Sequence, residues 1–293
     1  MILVTGGSGS NGSALVRRLA MTGTPVRALV RSAAKAEMLP ARPNVEIVVG
    51  DMARQESLAG PLTGVERVFL NSSADAAMLE VQTNFIAAAA KAGVKHIVKL
   101  SGIIPDIDSP FRFARMHGEI ELRLQNSGIA YTHLRAGEFM HSYFRQVRSI
   151  LATGAIVLPM AQQRIASIDI EDIAEIAALV LTGSGHEGKI YPITGPEALT
   201  MAEVAAILSA ATGKAIRYID IAPEDVTKAQ IAAGMPRYTA DALAELFAER
   251  RKGGEARVYP DAERLLGRRP TGFAEFATRN AAIFRGEAPP PQV

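Results

Sequence analysis

Short β-branched runs alternate with longer stretches of helical spacing through the first half of the chain. The runs fall at Ile2 to Val4, Val26 to Val30, Val45 to Val49, Val68 to Leu70, Ile97 to Leu100 and Tyr131 to Leu134. Helical periodicity fills the intervals. It is clearest over Ala77 to Ala92 and over Phe113 to Leu124, where Ile120 and Leu124 share a face with Met116 and Phe113. Strands alternating with helices predict right-handed crossovers and a parallel sheet covered on both faces. The expected fold class is therefore α/β with a doubly wound parallel sheet. After Leu134 the rhythm changes: Ser167 to Leu181 reads as helical, Lys189 to Ile193 as a strand, and a further helix starts at Met201 behind a Thr200-x-x-Glu203 capping box. Ala222 to Arg251 reads as helix-rich, with Gly253-Gly254 and Pro260 as punctuation. The expected division is a nucleotide-binding domain over 1–155 and a smaller α/β region over 156–293 that partly returns to the first sheet.

The first strand runs directly into Gly6-Gly7-Ser8-Gly9-Ser10-Asn11-Gly12 and then into an amphipathic helix. A dinucleotide phosphate site needs this order. Glycines at Gly6, Gly9 and Gly12 let the backbone turn sharply and approach a pyrophosphate without a Cβ in the way. The free N–H groups and dipole of the helix start, at Ser10 and Asn11, then face the negative charge. The spacing is G-x-x-G-x-x-G, wider than the G-x-G-x-x-G of simple dehydrogenases.

Composition narrows the alternatives. The 293 residues, 48% hydrophobic, suffice for a large core, and a net charge of +2 with scattered basic residues leaves no nucleic-acid footprint. Cysteine is absent, so thiolate catalysis, disulfides and cysteine metal sites are excluded. The five histidines form no H-x-x-x-H or H-E-x-x-H pair, and no metal site is expected. No apolar run reaches the roughly 18 to 20 residues of a membrane span, and the chain begins on a core strand with no signal segment before it. A cytoplasmic protein, monomeric or homodimeric, acting on a small molecule is expected.

In a dinucleotide fold the end of the second strand lies beside the adenosine ribose, where an acidic side chain selects NAD and a basic one pairs with the 2′-phosphate of NADP. Here that strand ends in Val30-Arg31-Ser32, with Lys35 one turn on. Two cations and no carboxylate favour NADP(H), because a guanidinium makes bidentate, charge-assisted contacts to phosphate. The competing reading is an Arg31 that simply ends a strand at the surface. Gly50-Asp51-Met52 follows the third strand and Asn71-Ser72-Ser73 the fourth, and both loops converge on the crevice at the carboxyl ends of the strands. Asp51 and Met52 are placed to flank adenine, although Asp51 equally suits a helix N-cap.

The runs Arg27-Ala28-Leu29-Val30-Arg31, Gly50-Asp51, Ala92-Gly93-Val94-Lys95-His96-Ile97, His117-x-x-x-Glu121 and Tyr131-Thr132-His133-Leu134-Arg135 resemble the NmrA-like atypical short-chain dehydrogenases. Within that family the chain looks most like the NADPH:quinone oxidoreductase and triphenylmethane reductase branch, with Gly185 to Tyr191 and Thr212-Gly213-Lys214 extending the similarity. The resemblance implies a Rossmann domain with a small C-terminal substrate region, NADPH across the sheet, and hydride passed to electron-poor aromatic acceptors. It places Gly6, Gly9, Gly12 and Arg31 at cofactor positions, and Ser72, Ser101 and Leu134 to Gly137 along the nicotinamide cleft. Ordinary short-chain dehydrogenases use a Ser with Tyr-x-x-x-Lys; this chain keeps Ser101 but reads Phe113-Ala114-Arg115-Met116-His117 where that motif falls.

Loss of the phenol bears on the chemistry. A simple ketone needs a proton as hydride arrives, whereas a quinone or cationic dye gives a stabilised phenolate or a neutral product. His117 is the remaining candidate for proton transfer beside Ser101, since imidazole titrates near neutrality; its other reading is an i,i+4 partner of Glu121. Phe139, Met140 and Tyr143 suit an aromatic wall for a flat substrate, or core packing, and Arg135 suits a buried ion pair or a substrate contact. The expected function is an NADPH-dependent reductase of quinone-like or other conjugated aromatic acceptors. Two alternatives are a non-catalytic NADP(H) sensor and a tailoring reductase of aromatic natural products. Relatives acting on lignan-like ethers place a lysine near the His117 region, and no lysine occurs between Lys99 and Lys189, so lysine-dependent chemistry is not expected.

Overall fold

The computed structural model describes residues 1–291 except 38, 40, 41, 233 and 254, so Gly254 of the expected Gly-Gly punctuation lies outside the described residues. The strands are β1 (Ile2–Val4), β2 (Val26–Val30), β3 (Val45–Val49), β4 (Arg67–Leu70), β5 (His96–Gly102), β6 (Ala130–Ala136), β7 (Ala155–Leu158), β8 (Arg164–Ile165), β9 (Lys189–Ile193), β10 (Leu199–Thr200) and β11 (Arg217–Asp220). Helices α1 (Ser10–Met21), α2 (Ala33–Ala36), α3 (Ala59–Leu62), α4 (Met78–Lys91) and α5 (Arg112–Gln125) connect the first six strands. They are followed by α6 (Val147–Thr153), α7 (Ile170–Thr182), α8 (Met201–Thr212), α9 (Pro223–Ala232), α10 (Arg237–Arg250), α11 (Asp261–Leu266), α12 (Phe273–Arg279) and α13 (Ala281–Arg285).

A seven-stranded sheet of order β3-β2-β1-β4-β5-β6-β9 forms the frame, every neighbouring pair parallel. The α/β doubly wound class is therefore present. The strand order reverses between β1 and β4, and this switch point opens a crevice at the carboxyl ends of the strands. One core lies under α1 and α7 and holds Val4, Leu15, Leu19, Ile173 and Ile176; another lies under α4 and α5 and holds Leu3, Phe85, Ile97, Ile120 and Leu124. Met116 and Phe113 pack at the edge of the latter, as the helical spacing requires.

Beyond β6 the chain builds a further core from α6, α8, α12 and α13 around Phe144, Phe273, Phe276 and Phe284, with two short sheets, β7-β11 parallel and β8-β10 antiparallel. The predicted capping box is complete: Thr200 Oγ1 accepts from Glu203 N, and Glu203 Oε2 accepts from Thr200 N at 2.8 Å. Between its excursions the chain returns to the first sheet through α7 and β9. Buried ion pairs join the two parts. The Asp172 carboxylate accepts from Arg268 at 2.8 Å and from Thr271 N at 2.7 Å, Asp169 pairs with Arg279, and Arg250 pairs with both Glu138 and Glu255. Among the described residues no helix is long and apolar enough to cross a membrane, and no group of three or more His, Asp or Glu side chains is placed to hold a metal ion.

Candidate cofactor and active site

The glycine turn fits a phosphate for reasons of backbone geometry. Gly6 adopts φ +60°, and Gly9 N donates to Gly6 O at 2.9 Å to close the turn. Gly12 packs so closely that a Cβ there would lie 2.1 Å from Gly6 O. α1 begins behind Gly9 with no side-chain cap and no acidic residue in its first turn, so the N–H groups of Ser10, Asn11 and Gly12 have no intrahelical acceptor. Ser10 Oγ and Asn11 Oδ1 are buried without a partner among the described residues. A helix start with free donors and buried, unmatched polar side chains suits a pyrophosphate. The residues present thus fit a dinucleotide.

The neighbouring strand end is tied to this turn. Thr5 Oγ1 donates to Asn71 O at 2.6 Å and accepts from Asn71 N at 2.8 Å, and Asn71 O lies 3.3 Å from where a Gly6 Cβ would stand. Ser72 Oγ accepts from the buried Gln82 Nε2 at 2.9 Å and donates to Ser73 O at 3.2 Å, so the expected Asn71-Ser72-Ser73 loop borders the crevice. Arg31 and Lys35 are exposed just beyond β2, and neither enters an ion pair among the described residues. Ser32 caps α2, leaving Arg31 clear of capping duty. The Asp51 carboxylate accepts from Ala53 N at 3.0 Å and lies 3.6 Å from Arg54. It makes a local side-chain turn, not the helix N-cap, because Arg54 stands at the cap position of the following 3₁₀ turn. Met52 packs partly against the core beneath α4.

At the end of β5 the structure assembles a polar cluster. Ser101 Oγ is buried with no hydrogen-bond partner among the described residues. Glu121 on α5 pairs with Arg135 on β6 at 2.6 Å, which settles Arg135 as an ion-pair residue and removes Glu121 as the partner of His117. His117 instead has Lys99 Nζ 2.9 Å from its Nδ1. Lys99 is a fully buried β5 side chain. Spacing along the chain does not reveal this lysine, because it comes from a strand and only the packing of α5 on β5 brings it to His117. The available signal was Lys99 itself, a single cation in the apolar run Ile97 to Leu100.

Burial drives the titration of this cluster. Desolvation, opposed by Glu121, lowers the Lys99 ammonium to about 7. Burial, then the adjacent Lys99 charge, takes His117 well below its ordinary value. His133, stacked on Tyr131 with centroids 4.8 Å apart, is lowered by burial to about 4. Glu121 is held charged despite its burial by the hydrogen bonds from Arg135.

The expected aromatic wall is not gathered at this cleft. Met140 and Tyr143 are buried in the core of the second part, where Tyr143 meets Phe273 edge-on at 5.0 Å, and Phe139 is half-buried against the core beneath α1 and α7. Packing accounts for all three. Gly137 is held tightly: a Cβ there would lie 2.5 Å from Ala166 O, so the glycine lets the second part close onto the end of β6.

A doubly wound parallel sheet with a glycine turn at its switch point defines a dinucleotide-binding α/β protein. The NmrA-like family model matches residues 1–277, and the chain belongs to that family. It is 40% identical to an NAD(P)H azoreductase of Xenophilus azovorans over 97% of this chain and 99% of that protein. An Escherichia coli NADPH-dependent quinone oxidoreductase, solved in complex with NADPH, superimposes with a TM-score of 0.87 at 33% identity over 95% of this chain and 99% of that one. Triphenylmethane reductase of Citrobacter sp., solved with NADP(H), does so with a TM-score of 0.86 at 28% identity over 96% and 100%.

Proposed function

We propose that the chain reduces quinone-like and other conjugated aromatic acceptors, azo linkages among them, at the crevice between β1, β4 and β5. It is an NADPH-dependent oxidoreductase. The observation that carries the acceptor class is the full-length similarity to an azoreductase and a quinone oxidoreductase, taken with a phosphate turn whose buried polar groups are left unmatched. NADPH supplies the hydride. The chain's own part is to hold the pyrophosphate on the N–H groups of Ser10 to Gly12, to present Arg31 and Lys35 to the 2′-phosphate, and to exclude water around a flat acceptor. Quinones and cationic dyes among these need positioning more than a strong acid, since the added electrons are delocalised. The division at 155/156 and the assignment of the second part to acceptor binding belong to the same proposal.

An acceptor screen tests it. Purified protein with NADPH is expected to oxidise the nucleotide only when a quinone, azo dye or cationic triphenylmethane dye is present. Rates equal to an enzyme-free control across the whole panel would overturn the reading. The cofactor arm is separable. Arg31→Glu is expected to lower the kcat/KM ratio of NADPH over NADH by about tenfold to a hundredfold, the range of one lost charge-assisted contact of about 1.5–3 kcal/mol. An unchanged ratio would place recognition of the 2′-phosphate elsewhere.

A further inference from the structure

We propose that Lys99 and His117 form a two-member proton relay serving acceptors whose hydride adduct is a strongly basic anion, the azo linkage foremost. This rests on the reductase reading above and adds a proton source to it.

The wiring follows from position. Lys99 Nζ, with no solvent exposure, donates to Leu100 O at 3.2 Å and sits 2.9 Å from His117 Nδ1. It enters no ion pair among the described residues, because the nearby carboxylate, Glu121, is taken by Arg135. A charged Lys99 has only protons to offer, so the Nδ1 it faces is an acceptor and the neutral imidazole carries its proton on Nε2. Nε2 has no hydrogen-bond partner among the described residues and belongs to a half-buried side chain beside Gly102, at the carboxyl end of β5. Gly102, the last residue of β5, makes room for the ring: its missing Cβ would stand 3.2 Å from His117 Cδ2.

Hydride addition to Ar–N=N–Ar forms one N–H bond and leaves the electron pair on the second nitrogen. That nitrogen takes the proton from His117 Nε2, and Lys99 Nζ passes its proton to Nδ1. The products are the hydrazo compound, neutral Lys99 and a neutral His117 of the other tautomer, with NADPH the two-electron donor. Lys99 regains its proton by the same route in reverse once the product leaves. The other groups facing this pair do not compete near neutrality. Glu121 on α5 and Arg135 on β6 stay charged as a pair, His133 on β6 is held neutral by burial, and the Ser101 hydroxyl on β5 does not titrate in this range. Burial brings Lys99 into the range where it can release a proton.

The test compares two acceptors on one enzyme. A triphenylmethane dye that stays cationic throughout gives a neutral product on hydride addition and needs no proton, whereas an azo dye does. For the unmodified protein with saturating NADPH, kcat for the azo dye is expected to fall as pH rises through about 7, with the cationic dye unaffected. Lys99→Met is expected to slow azo reduction by about a hundredfold while changing the cationic dye less than threefold, and Lys99→Arg, which keeps a charge but releases no proton, does not restore azo turnover. Nitrogen-15 NMR of the cofactor-free protein supplies a readout independent of turnover: at pH 6 His117 is expected as the Nε2–H tautomer, and in Lys99→Met the Nδ1–H form gains population. Identical pH profiles for the two dyes, or an Nδ1–H His117 beside an intact Lys99, would overturn the relay. Absence of turnover with either dye sinks the reductase reading instead, while the NMR arm still decides the wiring.

Discussion

Replacing Gly12 by alanine is expected to weaken NADPH binding by at least a hundredfold and to lower thermal stability. The added methyl carbon would stand 2.1 Å from Gly6 O, 2.7 Å from Gly6 C and 3.0 Å from Gly7 Cα. All three are backbone atoms of the turn, so no side chain can swing aside. Either α1 moves away from β1 by about an ångström or the turn opens, and both redirect the free N–H groups of Ser10 and Asn11. Isothermal calorimetry on the cofactor-stripped protein reads the affinity. Gly60→Ala is the matched control, because Gly60 lies in α3 with nothing within 4 Å of its added Cβ. It is expected to leave binding unchanged and to stabilise slightly by restricting the unfolded chain. Wild-type affinity in Gly12→Ala would mean that the phosphates do not sit on this turn.

Arg250→Met is expected to destabilise the protein by about 3–5 kcal/mol, the range for removing one partner from a buried ion cluster. Arg250 is 8% exposed and is the shared partner of Glu138, just beyond β6, and of Glu255, whose carboxylate lies 3.1 Å away. Burial alone pushes the Glu138 carboxyl up, and the Arg250 guanidinium, with smaller contributions from the Ser142 hydroxyl and Arg145, more than reverses this. In the wild type Glu138 thus adds stability above the ordinary carboxylate range, lost as pH falls through its lowered value. Without Arg250 burial wins, its folded value rises above the unfolded one, and the penalty is relieved by acid. Denaturant titrations at pH 7 and pH 5 are expected to show the gap between variant and wild type narrowing at the lower pH. A constant gap would mean that the loss is one of packing only. Glu138→Gln added to Arg250→Met is expected to recover part of the stability at pH 7.

What could be read in the chain without its structure depended on distance along it. The six strand starts and the glycine turn are local patterns, and the observed strands differ from the expected ones by two residues at most at either end, as at β5 and β6. The Thr200 capping box is likewise local, complete within four residues. The short strands β7 and β11 carried no such signal, because four-residue strands paired across some sixty residues leave no period to detect. Apolar spacing marked Phe139, Met140 and Tyr143 without showing whether they face a ligand or a core, since both environments select the same side chains. The Lys99–His117 pair was illegible for a related reason: its members lie 18 residues apart on a strand and a helix, and each alone has an ordinary reading. Arg135 was readable only as two alternatives, and Glu121 across the α5–β6 contact decided between them.

β9, the outermost strand next to β6, starts at Lys189 and carries Pro192 as its fourth residue. A proline offers no amide proton to a strand docking from outside, and a lysine disfavours a second flat sheet alongside it. The sheet therefore ends in a margin that resists edge-to-edge aggregation, even where crowding or partial opening brings two such margins together.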